Sequence, residues 1–89
     1  MFVLYHCTKR ENVSSILSEG LLTRYASCWK HSKKKPIYLS NEPFNGFGES
    51  CFKVTCPETV ELSRLSDWEY LCWDDISPEY LEYMGEKEK

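Results

Sequence analysis

Two kinds of side chain in this sequence have chemistry suited to holding a ligand: a lone imidazole, His6, and groups of cations. His6 closes the apolar run Phe2-Val3-Leu4-Tyr5, whose residues favour a strand. Thr8 follows, and Thr8-x-x-Glu11 fits a capping box, in which the hydroxyl takes a backbone N–H and the glutamate reaches back. An imidazole at a strand end beside a helix start stands where ligand-contacting groups commonly sit. The same pattern also suits a half-buried histidine satisfied by packing, with Thr8 only a cap. Lys9 and Arg10 fall in the helix's first turn, where each cation opposes the macrodipole by roughly a few tenths of a kcal/mol. They face either an anion or water.

Further along, Lys30-His31-Ser32-Lys33-Lys34-Lys35 is a basic run that reads as a solvated loop or as a loop meeting a phosphate or an acidic partner. Cysteine is the other reactive type. The five thiols Cys7, Cys28, Cys51, Cys56 and Cys72 are odd in number, and no secretory signal precedes them. Free thiols are therefore expected in place of a disulfide framework. Cys28-x-x-His31 with Cys51 and Cys56 supplies zinc-ligand types, but at irregular spacing, and no metal is expected.

The elements that must position these groups follow from periodicity. Val13, Ile16, Leu17 and Leu21 recur at helical spacing, and Gly20 stands where a left-handed C-terminal cap belongs. One main helix is expected over about Lys9–Leu22. Ile37-Tyr38-Leu39-Ser40 reads as a strand, and Asn41 to Gly48 as turns. Cys51–Cys56 and Thr59–Ser63 alternate. Glu69 to Trp73 alternates too, with Glu69, Leu71 and Trp73 on one face and Tyr70 and Cys72 on the other. Ser77-Pro78 opens either a helical turn with Pro at its first position or a final strand through Tyr80, Leu81 and Tyr83. Residues 85–89 read as a charged tail after one domain over 1–84.

Many short strands and one helix indicate an α+β domain. With 89 residues the core is small. Residues 1–45 carry seven Lys/Arg against three Asp/Glu, and residues 46–89 carry four against eleven, so the net −3 hides a basic and an acidic half. Such asymmetry suits a positive face for phosphates without marking a nucleic-acid binder by charge alone. No apolar run approaches the ~20 residues that span a bilayer. A cytoplasmic protein that does not enter membranes is expected.

Leu4-Tyr5-His6-Cys7-Thr8, followed by Asn12-Val13-Ser14-Ser15-Ile16-Leu17-Ser18-Glu19-Gly20-Leu21, resembles the opening of the ADP-ribosyltransferase superfamily. The similar branches are the poly(ADP-ribose) polymerases, the DNA-targeting ADP-ribosyltransferase toxins and the RNA 2′-phosphotransferases. Ile37-Tyr38-Leu39-Ser40 is similar to their second signature strand. Trp68-Glu69-Tyr70-Leu71 with Ile76-Ser77-Pro78-Glu79-Tyr80-Leu81 is similar to the third and to the closing strand, which favours the strand reading there. The resemblance implies a minimal form of that fold, with two short packed sheets around an NAD cleft. It implies a His-Tyr-Glu site: His6 on ribose hydroxyls, Thr8 and Ser40 at that end of the cleft, and Tyr38 stacked on nicotinamide. Glu69 would bond the nicotinamide-ribose 2′-hydroxyl and stabilise the developing cation, with Glu61 as the alternative acid. NAD would be the substrate and a protein or nucleic acid the acceptor. Two other readings stand beside this one. The first is an inactive module of the same fold that binds and inhibits another macromolecule. The second is RNA 2′-phosphate transfer, ranked last because only Arg10, Arg24 and Arg64 are present.

The basic run generates a first prediction. Replacing Lys33, Lys34 and Lys35 by Ser should leave the melting temperature nearly unchanged, since exposed substitutions usually fall within about ±0.5 kcal/mol. The same change should weaken an anionic partner and flatten the salt dependence of its binding; binding unchanged across a salt series would mark a purely solvated loop.

Overall fold

A computed structural model describes residues 2–23, 36–44 and 48–87. The apolar opening forms β1 (Phe2–Thr8), followed by a 3-10 turn (Arg10–Asn12) and α1 (Val13–Glu19). Then come β2 (Ile37–Ser40), β3 (Ser50–Cys56), β4 (Leu62–Arg64), β5 (Glu69–Cys72), a second 3-10 turn (Pro78–Tyr80) and β6 (Leu81–Glu86). All pairings are antiparallel, and the six strands lie in the order β4-β5-β2-β1-β3-β6. Where two small sheets were expected, backbone pairing joins every strand into one. The join between its three-strand halves is narrow. β1 and β2 share a single register pair, Tyr5 opposite Ser40, whereas β1 and β3 pair along seven residues.

Alternation decides what each strand buries. Leu4 of β1, Ile37 and Leu39 of β2, Phe52, Val54 and Cys56 of β3 and Cys72 of β5 leave one face and form the core. Ile16 from α1, with Leu21 and Ile76, covers them. Phe52 is fully buried and its ring stands 5.2 Å from that of Tyr83 on β6. Burying a side chain of this size is worth about 1.5–3 kcal/mol.

The helix is shorter than its pattern suggests, and the capping box does not form. Thr8 is the last rung of β1, opposite Ser50, and its buried hydroxyl accepts a hydrogen bond from Asn12 Nδ2 at 3.0 Å. The chain therefore enters α1 through a 3-10 turn whose N-cap, Lys9, makes no side-chain cap bond. Leu17, expected on the packed face, is 49% exposed. It lies about 100° round the helix from Ile16, beyond the stripe that meets the sheet. Gly20 has the positive φ expected of a helix stop, 88°, but its ψ of −169° makes it extended and not a left-handed cap. That geometry directs Leu21 into a two-bond bridge with Ile76 (2.9 and 2.8 Å).

Both options for Ser77-Pro78 occur in succession: Pro78 starts the 3-10 turn and β6 follows it. β6 continues through Gly85 and Glu86, into the stretch expected to be tail. Arg10 holds it there with two bonds to Glu86 (2.6 and 2.7 Å), and the Lys87 N–H donates to the Glu49 carbonyl at 2.6 Å. Among the described residues no helix is long and apolar enough to cross a membrane.

Gly20 is a backbone position with little freedom. A Cβ there would overlap the Ile76 carbonyl oxygen, in addition to the strain of φ 88°. Gly85 has φ 97° but nothing within 4 Å of such a Cβ. Gly20→Ala should thus cost about 3 kcal/mol or more, and Gly85→Ala only the backbone penalty of about 1–2 kcal/mol. Urea midpoints at constant slope measure both; equal losses would show that the contact with Ile76 is not decisive.

Candidate functional site

Of the site residues inferred from sequence, Tyr38, Ser40 and Glu69 share one face where the two halves of the sheet join, and His6 lies at the same join on the other face. His6 lies one residue beyond the Tyr5–Ser40 pair, opposite Phe52 on the β3 side. On the β2 side its Nδ1 is 2.8 Å from the Tyr38 carbonyl oxygen. A carbonyl only accepts, so Nδ1 carries the proton and Nε2 presents a lone pair. Burial pushes the imidazole pKa down from its ordinary value near 6.5, and the bond to Tyr38 opposes that shift only in part. The ring is therefore held neutral, with one nitrogen fixed and the other able to accept a hydroxyl hydrogen.

Glu69 opens β5 directly opposite Ser40, and Tyr38 sits two residues earlier on β2, opposite Leu71. Strand alternation places Tyr38, Ser40 and Glu69 on one face together with Tyr5. A local bracket holds Glu69. Ser66 Oγ donates to Glu69 Oε1 at 2.9 Å and accepts from the Glu69 N–H at 3.2 Å. Among the described residues Oε2 has no hydrogen-bond partner. Ser40 Oγ is engaged with its own turn, donating to the Glu42 carbonyl at 3.0 Å and accepting from the Glu42 N–H at 3.1 Å. Tyr38 is half-buried.

Not every inferred residue joins this face. His6 and Thr8 leave the opposite, core side of β1, and His6 meets the others through the backbone of Tyr38. Thr8 is closed in by Asn12 and by the backbone of Gly48, where a Cβ would overlap the Thr8 carbonyl group. Glu61, the alternative acid, lies at the far end of β5 and near the sheet's outer edge. Its N–H donates to Asp74 Oδ2 at 2.7 Å and its carbonyl accepts from the Trp73 N–H at 3.0 Å. Arg10, a possible anion contact, is committed to Glu86. Lys33, Lys34 and Lys35, with Cys28 and His31, lie outside the described residues. Cys51 and Cys56 are five apart on one strand and so point to opposite faces, a poor start for a shared metal ion. Among the described residues no group of three His, Cys, Asp or Glu side chains converges.

Sequence reasoning missed Ser50. Its hydroxyl is fully buried opposite Thr8 and has no hydrogen-bond partner among the described residues. An unpaired buried hydroxyl costs about 1–3 kcal/mol. The only available signal was a small polar residue two positions after Gly48, at the start of an alternating strand.

The arrangement offers a fixed carboxylate beside a hydroxyl and an aromatic ring on the neighbouring strand; the neutral imidazole of His6, inferred as part of the same set, leaves the other face of the sheet and reaches them only through the Tyr38 backbone. Such a set can stabilise a developing cation and accept from sugar hydroxyls. The chain matches no model of a known protein family and no curated protein sequence.

The depressed imidazole pKa has a thermodynamic consequence. The folded state binds this proton less readily than the unfolded chain does. The associated stability is present in full above about pH 6.5 and is lost as pH falls through the lower folded value. Chemical denaturation between pH 8 and pH 5, on the order of the His titration range, should show a steeper loss for wild type than for His6→Gln. Parallel profiles would mean that His6 is as solvated in the fold as in the unfolded chain.

Proposed function

We propose that the chain is a small NAD-dependent ADP-ribosyltransferase that modifies a protein or nucleic-acid acceptor. The observation that carries this reading is Glu69, bracketed by Ser66 and set opposite Ser40 and diagonal to Tyr38, at the join that His6 spans. In this reading the two three-strand halves flank an NAD cleft along that join.

The chemistry asks for these groups. Transfer breaks the bond between the ribose anomeric carbon and a cationic leaving group, nicotinamide, through an oxocarbenium-like transition state related to that of glycoside hydrolysis. A preorganised carboxylate lowers that barrier most if it is already oriented before charge develops. Glu69 supplies the charge, and its Oε2 is the oxygen that would take the ribose 2′-hydroxyl. Tyr38 offers a π face for the nicotinamide ring. His6, inferred as a ribose contact, leaves the core face and so serves this site as a positioning residue, through its bond to the Tyr38 carbonyl. No residue is assigned to the acceptor, and a cytoplasmic location belongs to the reading as an expectation.

Glu69→Gln keeps the size and one acceptor oxygen but removes the charge. An interaction made mainly in the transition state affects turnover more than ground-state binding. NAD affinity should stay within a few-fold, roughly, while nicotinamide release falls by about 10²-fold or more. His6→Ala should instead weaken NAD binding itself. Calorimetry and chromatographic nicotinamide release measure both. A wild type that neither binds NAD nor releases nicotinamide with candidate acceptors present fits the inactive interaction module instead. Turnover undiminished in Glu69→Gln would pass the role to Glu61.

A further inference from the structure

The ladder between β1 and β3 sets Cys7 directly opposite Cys51. Opposed residues of an antiparallel pair leave the same face, with Cα atoms about 4.5 or 5.5 Å apart according to the rung. Both separations fall within the roughly 4.4–6.8 Å spanned by disulfide-linked cysteines. The two residues differ in access. Cys7 is half-buried, and Cys51 is a fully buried free thiol. The Cys51 sulfur is also fixed in place: the Phe44 N–H donates to it at 3.5 Å, and it donates to the Phe52 carbonyl at 3.8 Å. The other described thiols are less suited to exchange. Cys56 and Cys72 leave the core face, and burial pushes the Cys56 pKa up to about 11, which keeps it protonated and weakly nucleophilic.

We propose that Cys7 and Cys51 form a thiol–disulfide site, closed into a cross-strand bond by a small-molecule disulfide of the glutathione class. The Cys7 thiolate attacks one sulfur of the oxidised glutathione, forming a mixed disulfide and expelling one glutathione thiolate. Cys51, deprotonated in the step, then attacks the Cys7 sulfur from the neighbouring strand and expels the second. Two protein thiols lose two electrons, one small disulfide gains them, and the two protons end on the two glutathione thiols. Cys7 stands between His6 and Thr8, so the bond pins the end of β1 to β3 beside the join. This inference does not rest on the NAD reading, since it concerns only register and thiol chemistry.

The test is to incubate the reduced full chain with oxidised glutathione at neutral pH, block remaining thiols under denaturing conditions, digest and map by mass spectrometry. The expected product has lost two hydrogens, carries a Cys7–Cys51 linked peptide and reverts with dithiothreitol. In Cys51→Ser, Cys7 should retain one glutathione as a stable adduct. A wild type in which Cys7 keeps its glutathione while Cys51 is blocked, in which the link runs to Cys28, Cys56 or Cys72, or in which Cys7 does not react, overturns the proposal.

Discussion

The hydrogen bond from His6 Nδ1 to the Tyr38 carbonyl is the contact on which the arrangement of this fold depends. β1 and β2 form the centre of the sheet, yet one register pair is all that the ladder supplies between them. A central strand pair with so few rungs leaves backbone groups to be satisfied by other means, because a buried orphan costs about 1–3 kcal/mol. The imidazole satisfies one of them from the side. Below it, Leu4 and Leu39 pack in the common core. The halves are therefore joined by apolar contact underneath, by the Phe2 and Tyr70 rings 5.6 Å apart, and by His6 at the rim. That rim is where neighbouring strands offer side chains instead of ladder bonds, which is what ligand recognition needs.

The same bond sets the electrostatics of the site. Donation by Nδ1 requires only one proton on the ring, and burial disfavours a second. A protonated imidazole there would face the core with its charge unpaired. The geometry thus selects a neutral histidine with an acceptor nitrogen. Joining the strands and leaving Nε2 as an acceptor are two results of one placement.

Much of the strand content was legible because it obeys local rules. The alternation in Cys51–Cys56 and Glu69–Trp73, and Pro78 ahead of the final strand, locate β3, β5 and β6 closely. The strand order was not legible, since pairing β1 between β2 and β3 depends on contacts far apart in sequence. The helix start was misread for a related reason. Thr8 has the right type for a cap, but its pairing with Ser50 turns the hydroxyl into the core, where Asn12 takes it. Leu17 looked like core because helical period counts faces without knowing how wide the neighbouring surface is. Of the candidate site, the identities of His6, Tyr38 and Glu69 came from motif order, whereas the placement of His6 on the far side of β1 followed only from register.

Glu69 illustrates how a domain with a small core can hold a charged group in a fixed orientation. Long-range packing is limited at this size, so orientation has to come from nearby atoms. Ser66 provides it within three residues: its hydroxyl accepts from the Glu69 N–H and donates to the Glu69 carboxylate, while the Trp68 N–H approaches the same oxygen at 3.5 Å. The Leu65 N–H closes the turn on the Glu69 carbonyl at 2.9 Å. The bracket fixes one carboxylate oxygen and leaves the other to the face shared with Ser40 and Tyr38. Glu61 has no such arrangement, because its backbone, not its carboxylate, is what the neighbouring turn engages. Local hydrogen bonding thus orients the Glu69 carboxylate within its own turn, and it does so without drawing on the core.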